Sequence, residues 1–337
     1  MNTISERVSV DGALGSIEQR IYLPLAACVD IRRPTPLETV KIGGWRIDLK
    51  LESSHKIRAV RVLVARLWRD GVIRAANMPE VELVISSSFN AANETAFCTA
   101  GTNARLVVFT DILTPPEARA ELATWRHVKV VVINAPDHTG SHSTARNQAV
   151  EKYLINHPCA VSIDQYKNSD FPCGYFSIFE EVEGQLGLDQ LAAIFLPVGT
   201  GALLRAATKY KLRFQRSWQI HAVDAAGSGI NGVPQGVRNF SGFGNSGPTE
   251  WTKQALPHVN SWFPVPDRGT VWASRWLRAH GFHRGASTCA GFAAAAKAAI
   301  SGALPHEGRT IVVSPDAGRF YASTLYNDKW LIERNLL

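Results

Sequence analysis

Short apolar runs alternate with amphipathic segments along most of the chain. Val81–Ile85 (VELVI), Arg105–Phe109 (RLVVF) and Val128–Ile133 (VKVVVI) are too short for helices and rich in β-branched residues, so each predicts a buried strand. A helical segment follows each one. The first comes after the small-residue loop SSSFNAAN, the second is TPPEARAELATW with its Thr-Pro-Pro start, and the third is STARNQAVEKYLINH. The second half repeats the rhythm: AAIFLPVGTGALLRAATKYKL reads as strand, glycine turn and helix, and WQIHAVDAAGSG as a strand running into a loop. TVWASRWLRAHG and the alanine-rich STCAGFAAAAKAAISGA are helices, and RTIVVSPDAG is a late buried strand. This order implies right-handed βαβ units. The fold class expected is α/β, with two open twisted, mostly parallel sheets flanked by helices. Asn231 to Asp267, rich in Gly, Pro, Ser and Asn and weakly periodic, predicts a long ordered loop region.

A boundary near Pro158 would give a smaller α/β domain over 46–157 and a larger one from 1–45 and 158–337. The 337 residues suffice for one large or two ordinary domains, and 45% hydrophobic with 19% charged residues is a globular composition. No apolar run approaches about 18 residues, which argues against a membrane span. The start, MNTISERVSVDG, lacks the basic-then-apolar layout of a secretion signal, so a cytoplasmic location is expected. Five cysteines without a CxxC pair (Cys28, Cys98, Cys159, Cys173, Cys289) exclude neither burial nor reactivity but argue against a disulfide framework or thiolate zinc site. The net charge of +7 is dispersed, without the basic runs interleaved with aromatics that nucleic acid calls for. It fits instead either a mild attraction for anionic small molecules, phosphates above all, or a merely basic surface.

Three loops are candidates for chemistry. In KLESSHKIRAVRVLV, Ile57, Val60, Val64, Leu67 and Trp68 recur at helical spacing, Gly71 can end the helix, and Arg58, Arg66 and Arg69 suit its outer face. Lys56 then lies in the first turn, where it is either a solvated charge or, if buried, an amine nucleophile with a lowered pKa. Ser86–Asn93 (SSSFNAAN) carries a strand into a helix N-terminus, either as an anion site or as an ordinary serine-rich cap. In PVGTGALLRA, Gly199 and Gly201 permit a tight turn before free helix NH groups, a layout suited to phosphate. It is neither a P-loop nor a dinucleotide fingerprint. Asp137, His138 and His142 in DHTGSH form a polar turn before a helix, and Ser287 in GAST lacks a nucleophile-elbow pattern.

The order of these pieces resembles fold-type II pyridoxal-phosphate enzymes, the cysteine synthase and cystathionine β-synthase family, over roughly Arg33 to Asp328. RRPTPLETV resembles the family's opening TPL segment, and LKLESSHKIR its lysine segment, which implies that Lys56 forms the Schiff base with the cofactor. SSSFNAAN resembles the T-S-G-N-T-G loop. This implies Ser87 and Ser88 on the substrate carboxylate, Phe89 in the substrate loop, and Asn90 on the cofactor's ring hydroxyl. IDQYKN puts Gln165 on the substrate side, and GTGAL implies a phosphate cradle of Gly199, Thr200 and Gly201. SPDAGRFYASTLYND resembles the C-terminal segment. There the family serine that meets the pyridine nitrogen falls on Ala317, with Asp316 beside it. Its STLYND ending looks closest to the branch making diaminopropionate precursors for siderophores and antibiotics, the N-(2-amino-2-carboxyethyl)-L-glutamate synthases. Further departures are Phe89 for Gly, Ala91 for Thr, and Ala202 and Leu203 for Gly and Thr.

The resemblance implies pyridoxal 5'-phosphate as cofactor, no metal, amino-acid substrates and a homodimer. It implies β-replacement on O-phospho- or O-acetyl-L-serine through an aminoacrylate, with an amine or thiol nucleophile. The alternatives are a serine/threonine dehydratase-like lyase, or a degenerate, non-catalytic relative that binds a ligand or partner, which Ala317, Leu203 and Phe89 motivate.

Overall fold

The computed structural model describes residues 34–232, 236–305 and 307–337. Positions 1–33, which hold Cys28, the opening of the larger expected unit and the start of the TPL segment, lie outside the described residues, as do 233–235 in the Gly/Pro-rich stretch.

Two sheets organise the chain. The larger has six strands in the order β1 (Leu37–Ile42), β2 (Trp45–Leu51), β10 (Arg309–Ser314), β7 (Leu191–Pro197), β8 (Gln219–Ala225) and β9 (Ser261–Val265). Only the β1–β2 pair is antiparallel, closed by Gly43 and Gly44 at φ +53° and +83°, the left-handed pair that suits a two-residue hairpin. The smaller sheet is parallel throughout, in the order β5 (Val128–Ile133), β4 (Ala104–Asp111), β3 (Val81–Ser86), β6 (Val161–Ser162). Two mostly parallel sheets flanked by helices are therefore present, as the alternating pattern predicts. Among the described residues no helix is long and apolar enough to cross a membrane.

Sheet membership departs from the expected 46–157 unit at both ends. β2 belongs to the larger sheet, through its parallel register with β10, and β6 lies beyond Pro158 yet pairs with β3. The chain thus leaves the larger sheet just before Lys56 and returns to it between β6 and β7, the stretch that holds Gln165. The stretch expected as a long loop also holds a short helix, Glu250–Ala255, and β9, which pairs with β8 at the sheet edge. Pro264 in β9 is tolerable there because an edge strand has one side unpaired.

Helix α1 (Lys56–Arg69) turns Ala59, Val60, Leu63, Val64 and Leu67 inward, as its spacing predicts. Arg58, expected on the outer face, is instead 4% exposed. Its guanidinium meets Glu52 at 2.9 Å and Glu181 at 2.6 Å, both contributed from outside the helix. Lys50, fully buried, joins the same network through Glu181 and the Thr35 carbonyl, each at 2.7 Å, and Gln185 at 2.9 Å. Burial works against the charge on Arg58, but its bonds to Glu181 and Glu52 outweigh it and raise its pKa. This ionic cluster anchors the underside of the helix whose first residue is Lys56.

Candidate active site

The loops that follow β3, β4, β6, β7 and β10 converge on one cavity of about 540 Å³. In open α/β sheets ligands collect at these carboxyl ends. Lys56, Ser87, Ser88, Asn90, Gln165, Gly199, Thr200 and Gly201 all line it, although they are spread over two fifths of the chain.

Lys56 opens α1, and its amine stands 5.8 Å from the Phe171 ring centre and 5.9 Å from that of Tyr175. Burial pulls its pKa down to about 8, and it makes no ion pair among the described residues. Its neighbour His55 stacks on Tyr175 at 5.3 Å, and burial, helped by Lys56, holds the imidazole well below its usual value. A lysine amine kept among rings and a neutral imidazole, away from carboxylates, is available as a nucleophile near neutral pH.

Helix α2 (Asn90–Thr99) begins at the end of the serine loop. The Ser87 hydroxyl oxygen accepts from the Phe89 and Ala92 amides at 3.2 and 3.3 Å, which fixes the loop. Ser88 is partly exposed to the cavity. Phe89 turns away from it, its ring 4.3 Å from that of Phe320, and lines a smaller adjoining recess with Asp316. Gln165 donates to the Ser86 carbonyl at 2.8 Å.

On the opposite wall, helix α7 (Ala202–Arg213) is capped by Gly201 at φ +81°. The helices between α2 and α7 are α3 (Pro116–Ala123), α4 (His142–Asn156), α5 (Asp170–Gly174) and α6 (Phe176–Leu186). A Cβ on Gly201 would overlap the Thr252 hydroxyl and come within 2.9 Å of the Thr252 nitrogen. Thr249 Oγ1 donates to the Thr200 carbonyl at 2.6 Å, so the turn is held from behind while the first amides of the helix face the cavity. Leu203 also lines the cavity and offers no hydroxyl there.

Asp316 and Ala317 do not line this cavity. Asp316 is buried behind Asn90, whose side-chain amide donates to it at 3.0 Å, and Ala317 bridges to Arg284 through its backbone.

Sequence reasoning passed over other lining groups. Arg146 of α4 ion-pairs with Asp111 at the end of β4, and Arg238 enters from the loop after β8. Burial lowers the Arg238 pKa, with Asp224 and Asp267 partly restoring it. The position of Asp111 at a strand's carboxyl end was the available signal for that pair. The DHTGSH turn caps α4, Ser141 accepting from the Thr144 amide at 3.0 Å, and it also contributes Thr139, Gly140 and His142 to the cavity wall. Among the described residues no three His, Cys, Asp or Glu side chains group as for a metal.

An enclosed amine on one side, a Gly-Thr-Gly turn with helix amides on the other and an Asn lining the same cavity fit a phosphorylated aldehyde. Residues 30–316 match the pyridoxal-phosphate dependent enzyme family. The chain is 27% identical over 287 residues to N-(2-amino-2-carboxyethyl)-L-glutamate synthase of Ralstonia nicotianae, covering 82% of this chain and 80% of that one. Two solved structures share the fold. O-ureido-L-serine synthase superposes with a TM-score of 0.75 at 18% identity, covering 89% of this chain and 96% of that one. The O-acetylserine dependent cystathionine β-synthase of Helicobacter pylori has a TM-score of 0.75 at 19% identity, covering 87% and 95%. A match across most of the chain, joined to this amine and this cradle, makes the protein a member of the pyridoxal-phosphate-dependent enzyme family, of the synthase and transferase kind.

Proposed function

We propose that this chain catalyses β-replacement on an activated L-serine, joining it to an amine or thiol nucleophile in amino-acid or natural-product biosynthesis. The observation that carries the reading is Lys56, an enclosed amine with a pKa of about 8 across the cavity from the Gly199–Gly201 turn. Lys56 would hold the cofactor aldehyde, the turn and the α7 amides would hold its phosphate, and Asn90 would hydrogen-bond its ring hydroxyl. When bound, pyridoxal phosphate supplies a sink for the electron pair left at the substrate α-carbon. The Lys56 amine would be the base placed to take the α-proton. Ser87, Ser88 and Gln165 form the wall suited to the substrate carboxylate.

The donor and acceptor follow from charge. Arg146 is paired with Asp111, which also lines the cavity, so Arg238 is the guanidinium that favours an anionic partner. An O-phospho donor suits the cavity, and so does an acidic amine such as glutamate, which appears in the name of the Ralstonia relative; O-acetylserine is the donor in the name of the Helicobacter one. A cytoplasmic homodimer goes with this reading. The test supplies O-phosphoserine or O-acetylserine with glutamate or sulfide and follows the new C–N or C–S bond by mass spectrometry. Adduct formation that needs both substrates is expected. Pyruvate release at the same rate with no nucleophile present would replace β-replacement by elimination.

A further inference from the structure

The two guanidinium groups of the cavity wall are in unlike states. Arg146 is ion-paired with Asp111. Arg238 makes no side-chain hydrogen bond or ion pair among the described residues, although it is partly buried. Its two acidic neighbours are engaged elsewhere. Asp267 Oδ2 accepts from the backbone and side-chain nitrogens of Asn239, at 3.0 and 2.7 Å. Asp224 Oδ1 accepts from the Ala225 amide at 2.8 Å, and burial pushes the Asp224 pKa up to about 7, so it offers only part of a charge. The Arg238 side chain is nonetheless held in a slot. A Cβ at Gly244 would stand 2.8 Å from its Nη1, and one at Gly227 would stand 3.0 Å from its Cγ.

Depth separates Arg238 from the rest of the site. Lys56 and the buried Ser87 lie in the enclosed part of the cavity. Arg238 sits at the rim, where its neighbour Val237 lines the cavity while 84% exposed. The start of α4 adjoins it from the smaller sheet. His142 there lines the cavity with its Nδ1 buried and without a hydrogen-bond partner. Burial, helped by Arg238, lowers the His142 pKa and keeps the imidazole neutral. Ser143 Oγ donates to Asn245 Oδ1 at 2.5 Å, tying this turn to the loop that carries Arg238.

We propose that Arg238, with His142 beside it, docks a carboxylate of the second substrate and so selects a carboxylate-bearing amine over sulfide. The inference rests on the proposed β-replacement and assigns the anion partner of Arg238 to the acceptor, not the donor. The cofactor phosphate falls to the Gly199–Gly201 turn, and the donor carboxylate to Ser87 and Ser88. Both of those places lie away from the rim. The rim guanidinium is left for the molecule that enters once the donor is seated. Its planar fork matches the two oxygens of a carboxylate, whereas hydrosulfide offers a single atom. A neutral His142 can add one N–H donor to the same carboxylate without adding a second charge.

The test measures initial rates of the holoenzyme with glutamate or sulfide as acceptor and O-phosphoserine or O-acetylserine as donor. Arg238→Gln is expected to raise the KM for glutamate about tenfold to a hundredfold, the range for a hydrogen bond to a charged group. The KM for sulfide, the KM for either donor and kcat should move less. Arg238→Lys, which keeps the charge without the fork, should recover part of the affinity, and His142→Ala should raise the glutamate KM about threefold. An equal rise for glutamate and sulfide would overturn the selection. A rise confined to O-phosphoserine would move Arg238 to the leaving group, and weaker titration of pyridoxal phosphate would move it to the cofactor; either overturns the assignment. Melting of each variant checks folding. Glutarate, with two carboxylates and no amine, tests docking without turnover. Calorimetry should show it binding the wild-type holoenzyme and at least tenfold more weakly to Arg238→Gln, and equal binding would overturn the site. If the wild type joins no nucleophile to either donor while glutarate still depends on Arg238, it is the proposed function that fails.

Discussion

Lys50 and Lys56 stand on either side of the same crossing between sheets, and their surroundings are opposite. Lys50 is fully buried among Glu181, Gln185 and the Thr35 carbonyl, and burial lowers its pKa while Glu181 works to restore it. Lys56 meets rings and a neutral imidazole, and nothing offsets its desolvation. The first arrangement keeps a charge for architecture, and the second makes an amine available. Both sides of the helix are needed, since the ionic cluster beneath fixes where the amine above it points.

The largest effect that tests this contrast is at Lys56. Lys56→Ala is expected to end covalent attachment of pyridoxal phosphate, seen by mass spectrometry after borohydride reduction, and to lower turnover by at least about a hundredfold. Lys50→Met should leave attachment intact; loss of attachment there would erase the distinction. Next comes Arg58→Ala, which strands Glu52 while Glu181 keeps Lys50. An uncompensated buried charge costs about 3–5 kcal/mol, read as a lower denaturation midpoint with its slope unchanged. A loss below about 1 kcal/mol would mean the cluster is no anchor.

Gly201→Ala adds a Cβ at φ +81° beside Thr252. About 1–3 kcal/mol of strain is expected, appearing as weaker cofactor binding, whereas Gly43→Ala in the exposed hairpin should leave binding unchanged. The smallest effect is on pH. A lowered lysine pKa means the reactive neutral amine gains as pH rises through about 8, not through the ordinary 10.5. The rate of cofactor attachment to the cofactor-free protein should therefore climb from pH 7 and level off above about 8. A rate still climbing past pH 10 would place the amine in ordinary solvent.

The parts legible in the sequence were those with a local cause. Val128–Ile133 is a strand at the expected bounds because its apolar run suffices to mark it. Gly201 signals a turn because its backbone, at φ +81°, requires glycine. Arg58 was misplaced because the fold, not the helix pattern, brings its partners to it: Glu52 lies six residues back and Glu181 123 residues away. β9 was hidden because Trp262, Phe263 and Pro264 show no alternation, and only pairing with β8 makes them a strand. Ser287 was set aside for lacking a motif, yet the cavity is made of residues whose shared feature is place.

The seam between β2 and β10 has a bearing on how the molecule is made. Arg309 reaches across it to Asp48, 261 residues earlier in the chain. At the usual pace of translation the second partner emerges on the order of ten to fifty seconds after the first. Through that interval β2 and β7 each present an open edge in the middle of the future sheet. The nascent chain must therefore wait, half-zipped, for its penultimate segment. Ribosome stalling or truncation just ahead of Arg309 should leave a product that aggregates through those two edges, while loss of residues after Ile332 should not.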